Sequence, residues 1–173
     1  MTLVKGMHRI INELTQDIIE IYNITIPISN IDDVVKSIGG VVRKNKGLSK
    51  YSNGYIRKVD DGFEIIVSEQ QPEKRRNFTI AHELGHLFLH MGYAIDPDKW
   101  EKQEYTYYRE DNPNEEYEAN EFAAALLMPQ KEYKKVMDKY TDGNLLDTSK
   151  IADEFNVSVN AAANRGKWLG YLQ

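Results

Sequence analysis

The chain has 173 residues, 41% of them hydrophobic and 28% charged, with a formal net charge of −5, which is enough for one compact domain with its own core. No apolar run approaches the roughly 20 residues of a membrane helix, and the opening MTLVKGMHRI lacks the positive, apolar, small-residue order of a signal peptide, so a soluble, cytoplasmic protein is expected. Cysteine is absent, which excludes disulfides and thiolate metal sites and leaves His, Asp and Glu to hold any metal.

Val4, Met7, Ile11, Leu14, Ile18 and Tyr22 recur at helical spacing and predict an amphipathic first helix. Asn30 suits the N-cap of a short second helix over Ile31 to Ile38, which Gly39-Gly40 ends. Val41-Val42 then reads as a strand. YIRKV and FEIIV, separated by Asp60-Asp61-Gly62, read as a hairpin. From about Glu73 to His90 the period is helical again. A polar, Tyr-rich connection from Met91 to Asn112 follows, of a length that compact domains reserve for functional loops. Pro113 suits the start of a helix through EEYEANEFAAALLMP, and further helices are expected around Glu132 to Lys139, Thr148 to Phe155 and Val159 to Leu169. The fold class expected is α+β: mostly helical, with a small N-terminal sheet or hairpin packed on the Glu73 to His90 helix. Residues 1–130 read as the core unit and 131–173 as a helical segment packed on it.

Acidic residues are concentrated between Asp96 and Glu121, with ten acids against three bases, and no segment is basic enough to predict nucleic-acid binding from charge alone. The chemistry gathers in FTIAHELGHLFLH, Phe78 to His90. His82 and His86, four residues apart on a helix, leave one face about 6 Å apart along the axis and can grip one ion between them. Glu83, about 100° round from His82, sits in the HExxH arrangement as the base for a metal-activated water. His90 lies about 12 Å of rise from His82 and reads as a helix-end residue near the C-terminal dipole. The longer pattern HExxHxxGxxH fails, because Leu89 holds its glycine position and Gly92 its last histidine position. A third ligand is therefore sought elsewhere.

On the acidic helix, Glu115 and Glu116 lie at opposite edges of the stripe formed by Ala119, Phe122, Ala123, Leu126 and Leu127. Both can face a buried metal. Glu116 is preferred because Asn120, four residues on, shares its face and can orient a ligating imidazole or the carboxylate. Glu118 and Glu121 lie off the stripe and read as a solvated face.

These two blocks together resemble the ImmA/IrrE family of zinc metallopeptidases, gluzincin-like enzymes of bacteria, phages and mobile elements. The shared pattern is an aromatic residue, AHELGH (Ala81 to His86), and then a helix of the form E-x-x-A-N-x-F-A-x-x-L-L-M-P. Here that helix starts at Glu116 or Glu118 and runs through Ala119, Asn120, Phe122 and Ala123 to Pro129. The resemblance implies a zincin-like fold, one Zn2+ held by His82, His86 and Glu116, and Glu83 as catalytic base. It also implies a protein substrate, a repressor of the helix-turn-helix type from a mobile element, prophage or stress response. Candidates for a second oxyanion donor are Arg76, Tyr105, Tyr107 and Tyr108.

Two competing readings differ in kind. IADEFNVSVNAAANRGKWLG has the look of a helix-turn-helix, with Ser158 capping its second helix and Asn160, Asn164, Arg165 and Lys167 as polar readers of DNA. Alternatively the zinc is retained without turnover, in an antirepressor or a toxin-antitoxin component that acts by binding.

Overall fold

The structure is a computed structural model that describes residues 5–50, 53–60, 62–103, 112–143 and 145–172. Asp61, in the expected hairpin turn, and Tyr105, Tyr107 and Tyr108 lie outside the described residues. Helix α1 (Lys5–Ile21) buries Ile11, Ile18 and Ile19 on one face, as its period requires. Helix α2 (Ile31–Ile38) starts where the Asn30 side chain accepts from the Asp32 amide at 3.1 Å. It ends at Gly39, whose φ of 108° closes the helix in a left-handed turn.

Three strands follow: β1 (Gly40–Asn45), β2 (Tyr55–Val59) and β3 (Gly62–Ser68), in the order β1-β3-β2. β1 runs parallel to β3, with Val42 opposite Ile65, and β2 runs antiparallel to it, with Ile56 opposite Ile65. The hairpin expected from sequence is therefore present, and β1 adds to its far edge. β3 is central and is buried from Phe63 to Ser68.

Helix α3 (Glu73–Gly85) packs against β3 and β2 and passes into a π turn over His86–His90. In that turn the Met91 amide bonds to the His86 carbonyl at 2.9 Å, five residues back instead of four. The connection after it holds a short helix α4 (Pro97–Glu101), capped by Asp96. Helix α5 (Pro113–Leu127), capped by Asn112, packs along α3 and also against α1.

Beyond Pro129 come α6 (Gln130–Lys139), a two-strand clip of β4 (Thr141–Asp142) and β5 (Leu145–Leu146), α7 (Thr148–Glu154) and α8 (Val159–Trp168). The buried hydroxyl of Tyr133 on α6 donates to the Ala162 carbonyl on α8 at 2.8 Å. Arg165 is 2% exposed. It reaches the Met128 carbonyl at 3.0 Å, Glu121 at 3.1 Å and Asn12 at 2.8 Å, so it ties α8 to α5 and α1. Buried apolar residues form one cluster that extends from Ile11 to Ala162. The molecule is a helical α+β fold with a small sheet, as its periodicities predict. Among the described residues no helix is long and apolar enough to cross a membrane.

Glu121 departs from expectation. Only 8% exposed, it pairs with Arg165 and lies 3.3 Å from His8. The solvated reading assumed one apolar stripe on α5, but that helix is covered by α3 on one side and by α1 and α8 on another.

Candidate metal centre

The end of α3 and the π turn after it carry the histidines inward because Ile80, Ala81, Leu84 and Leu87, all 0% exposed, hold that surface in the core. His82 and His86 are 7% and 1% exposed, and their Nε2 atoms lie 3.0 Å apart. From α5, Glu116 brings Oε2 to 3.3 Å from His82 Nε2 and Oε1 to 3.3 Å from His86 Nε2. Four tetrahedral ligands at about 2.0–2.1 Å from one zinc stand about 3.3 Å from one another. The three side chains therefore fit one zinc-sized ion. Their ligand atoms form a group that can hold a metal.

Asn120 Oδ1 lies 3.0 Å from His82 Nδ1, the ring nitrogen that faces away from the cluster. Glu83 is fully buried on α3 beside His82. The two glutamates left open by the helical wheel separate here. Glu116 meets the Nε2 pair, whereas Glu115 approaches His86 and His90, whose ligand atoms and its own lie within 4.8 Å of one another.

His90 and Glu118 were missed as members of the site. His90 is 8% exposed, its Nδ1 lies 2.9 Å from His86 Nδ1, and its Nε2 lies 3.0 Å from Glu118 Oε2. His90 does close the helical run, but in a buried contact, and the Glu118 side chain is only partly solvated. The signal available in the sequence was the second four-residue histidine interval, from His86 to His90. Arg76 is also corrected: its Nη2 sits 2.7 Å from both carboxylate oxygens of Asp32, which commits it to α2 and not to a reacting carbonyl.

A cleft of about 970 Å³ opens beside His82 and Glu116, bounded by Phe78, Tyr117, Asn164 and Trp168 among others. Asn160, Asn164 and Arg165, the proposed DNA readers, line this same cleft. Arg165 is buried in its pair with Glu121, so it is unavailable to read base edges.

Comparison with curated protein sequences gives no match. Among solved structures, a protein described as a Mycobacterium tuberculosis transcriptional regulator superposes with a TM-score of 0.60 at 14% identity, over 91% of this chain and 46% of that one. At that identity the likeness is one of fold, and this chain spans less than half the length of that protein. The family model Peptidase_M78, described as the IrrE N-terminal-like domain, matches residues 39–167, a range that takes in the sheet, both histidines, Glu83 and Glu116. With most of its length matched, including every residue that converges on the cluster, this chain belongs to the Peptidase_M78 family, whose domain is metallopeptidase-like.

Proposed function

We propose that this chain is a zinc-dependent metallo-endopeptidase that hydrolyses a peptide bond in a protein substrate. The observation that carries the reading is the convergence of His82 Nε2, His86 Nε2 and Glu116 at 3.0–3.3 Å beside an open cleft. The neutral nitrogen donors and single carboxylate match the borderline character of Zn2+. When bound, zinc supplies Lewis acidity: it brings the pKa of water to about 7 and polarises a carbonyl.

The protein's own residues do the rest. His82, His86 and Glu116 hold the ion, and Asn120 orients the His82 ring through Nδ1. Glu83 takes a proton from water as the new C–O bond forms, then delivers it to the leaving amine as the C–N bond breaks. The cleft between α3, α5 and α8 receives the substrate chain, with Phe78, Tyr117 and Trp168 offering apolar contact.

The substrate proposed is a helix-turn-helix repressor, as the ImmA/IrrE resemblance implies, and cleavage would relieve repression in the cytoplasm. The test combines the zinc-loaded protein with the repressor encoded beside its gene and follows the digest by mass spectrometry. Wild type is expected to give discrete fragments, and Glu83→Gln to cut at least about 100-fold more slowly with its zinc retained. Relief of repression by both proteins without any fragment would show an antirepressor that acts by binding.

A further inference from the structure

Outside the three proposed ligands, the structure contains a hydrogen-bond relay that runs from the partly exposed Glu118 inward to one of them. Glu118 Oε2 lies 3.0 Å from His90 Nε2, and His90 Nδ1 lies 2.9 Å from His86 Nδ1. His86 then presents Nε2 to His82 and Glu116. A carboxylate only accepts, so the proton on this edge of His90 sits on Nε2. In neutral His90, Nδ1 is then bare and accepts. His86 Nδ1 must supply the proton between the two rings, which leaves His86 Nε2 as a lone pair. Asn120 Oδ1 imposes the same tautomer on His82.

We propose that His90 and Glu118 are positioning residues that lock His86 in its Nδ1–H tautomer, so that a bare Nε2 faces the metal. This rests on the reading of His82, His86 and Glu116 as the ligand set. The relay lies along the π turn. His86 and His90 open and close that turn, and four residues of it return His90 to the side of the helix that His86 occupies. Burial sharpens the requirement. His86 and His90 are 1% and 8% exposed, so little water is available to take the place of a missing partner.

The same residues allow one rival arrangement, a second ion held by His86, His90 and Glu115. It would require His86 to use both nitrogens at once as a bridging imidazolate, and it would displace the proton that the relay holds.

The relay is tested with Glu118→Leu, Glu118→Gln and His90→Leu. Glu118 is partly exposed and its replacements leave the core intact, and the amide of Glu118→Gln keeps an acceptor for His90. The first readout needs no metal: 15N imidazole spectra of the zinc-free protein above pH 7. Wild type and Glu118→Gln are expected to show His86 with its proton on Nδ1, whereas Glu118→Leu and His90→Leu show a mixture of tautomers. The second is zinc affinity by competition with a chromophoric chelator. Glu118→Leu and His90→Leu are expected to bind zinc roughly 10- to 100-fold more weakly, with Glu118→Gln within about threefold of wild type.

An unchanged His86 tautomer in Glu118→Leu overturns the proposal whatever the zinc affinity. Two zinc ions per wild-type chain, falling to one in Glu115→Ala, overturns it in favour of the bridged pair. If His82→Ala binds zinc as well as wild type while the tautomers shift as expected, the lock stands and the ligand reading fails.

Discussion

Gly85 lies between the two histidines, where α3 touches α5, and a Cβ built there would meet Ala119 Cα at 2.9 Å and the Ala119 carbonyl at 3.0 Å. Its backbone is ordinary α-helix, so the requirement is close approach, not left-handed geometry. Gly85→Ala is expected to push α3 from α5 and cost about 1–3 kcal/mol of stability, read from urea unfolding. Because His86 and Glu116 stand on opposite sides of that contact, zinc affinity should fall as well. The approach of His82, His86 and Glu116 to one another was legible in the sequence, because each placement depends on spacing along one helix. Glu118 was not, since its partner His90 lies 28 residues earlier on another helix, and a pattern along one helix does not say which residues of two helices meet. A wheel drawn at a constant 100° per residue also carries no trace of the π turn over His86–His90.

At the scale of the element, the strands were legible as short apolar runs, but their order was not. Nothing in Val41-Val42 states that β1 joins β3 in parallel and leaves β2 at the opposite edge. The sign of that arrangement is Glu64, a buried carboxylate in the central strand that receives Arg43 Nε at 2.7 Å from one neighbour and Arg57 Nη2 at 2.7 Å from the other. Hydrogen bonds from Arg43 and then Arg57 hold its pKa below the ordinary 4.5, against the opposing effect of burial. A carboxyl whose pKa is depressed on folding adds stability above its unfolded value, and that stability is lost as pH falls through the folded value. Both arginines are about half exposed, so solvent screening limits the contribution. Glu64→Gln is expected to cost about 1 kcal/mol at pH 7. The gap from wild type should close as pH is lowered below 4.5. Urea titrations across pH 3 to 7 measure it, and a gap independent of pH would assign the loss to packing.

Across the whole molecule, two devices join distant parts of the chain, and they differ in how far the sequence shows them. Arg165 reaches Glu121, 44 residues earlier, and Asn12, 153 residues earlier, and a helix-turn-helix pattern around it pointed to DNA instead. Burial pushes its guanidinium pKa down while Glu121 draws it up. Removing one partner leaves the other charge buried, so Arg165→Ala should cost about 3–5 kcal/mol, and Arg165→Met with Glu121→Met much less than the sum of the two single changes. The second device is the group of His82, His86 and Glu116, which could hold a metal and takes one residue from α3, one from the start of the π turn and one from α5. Those helices share one core with the rest of the fold, so an ion that binds only the assembled cluster stabilises the whole domain by mass action. At a free zinc concentration 100 times its Kd the gain is about 2.7 kcal/mol, or roughly 5–10 °C in Tm for a domain of this size. Calorimetry of the zinc-loaded protein with and without a chelator measures that shift. It should vanish in His86→Ala, shrink in Glu118→Leu and persist in Glu83→Gln. Loss of the shift in Glu83→Gln would make that glutamate a ligand and remove it as the base.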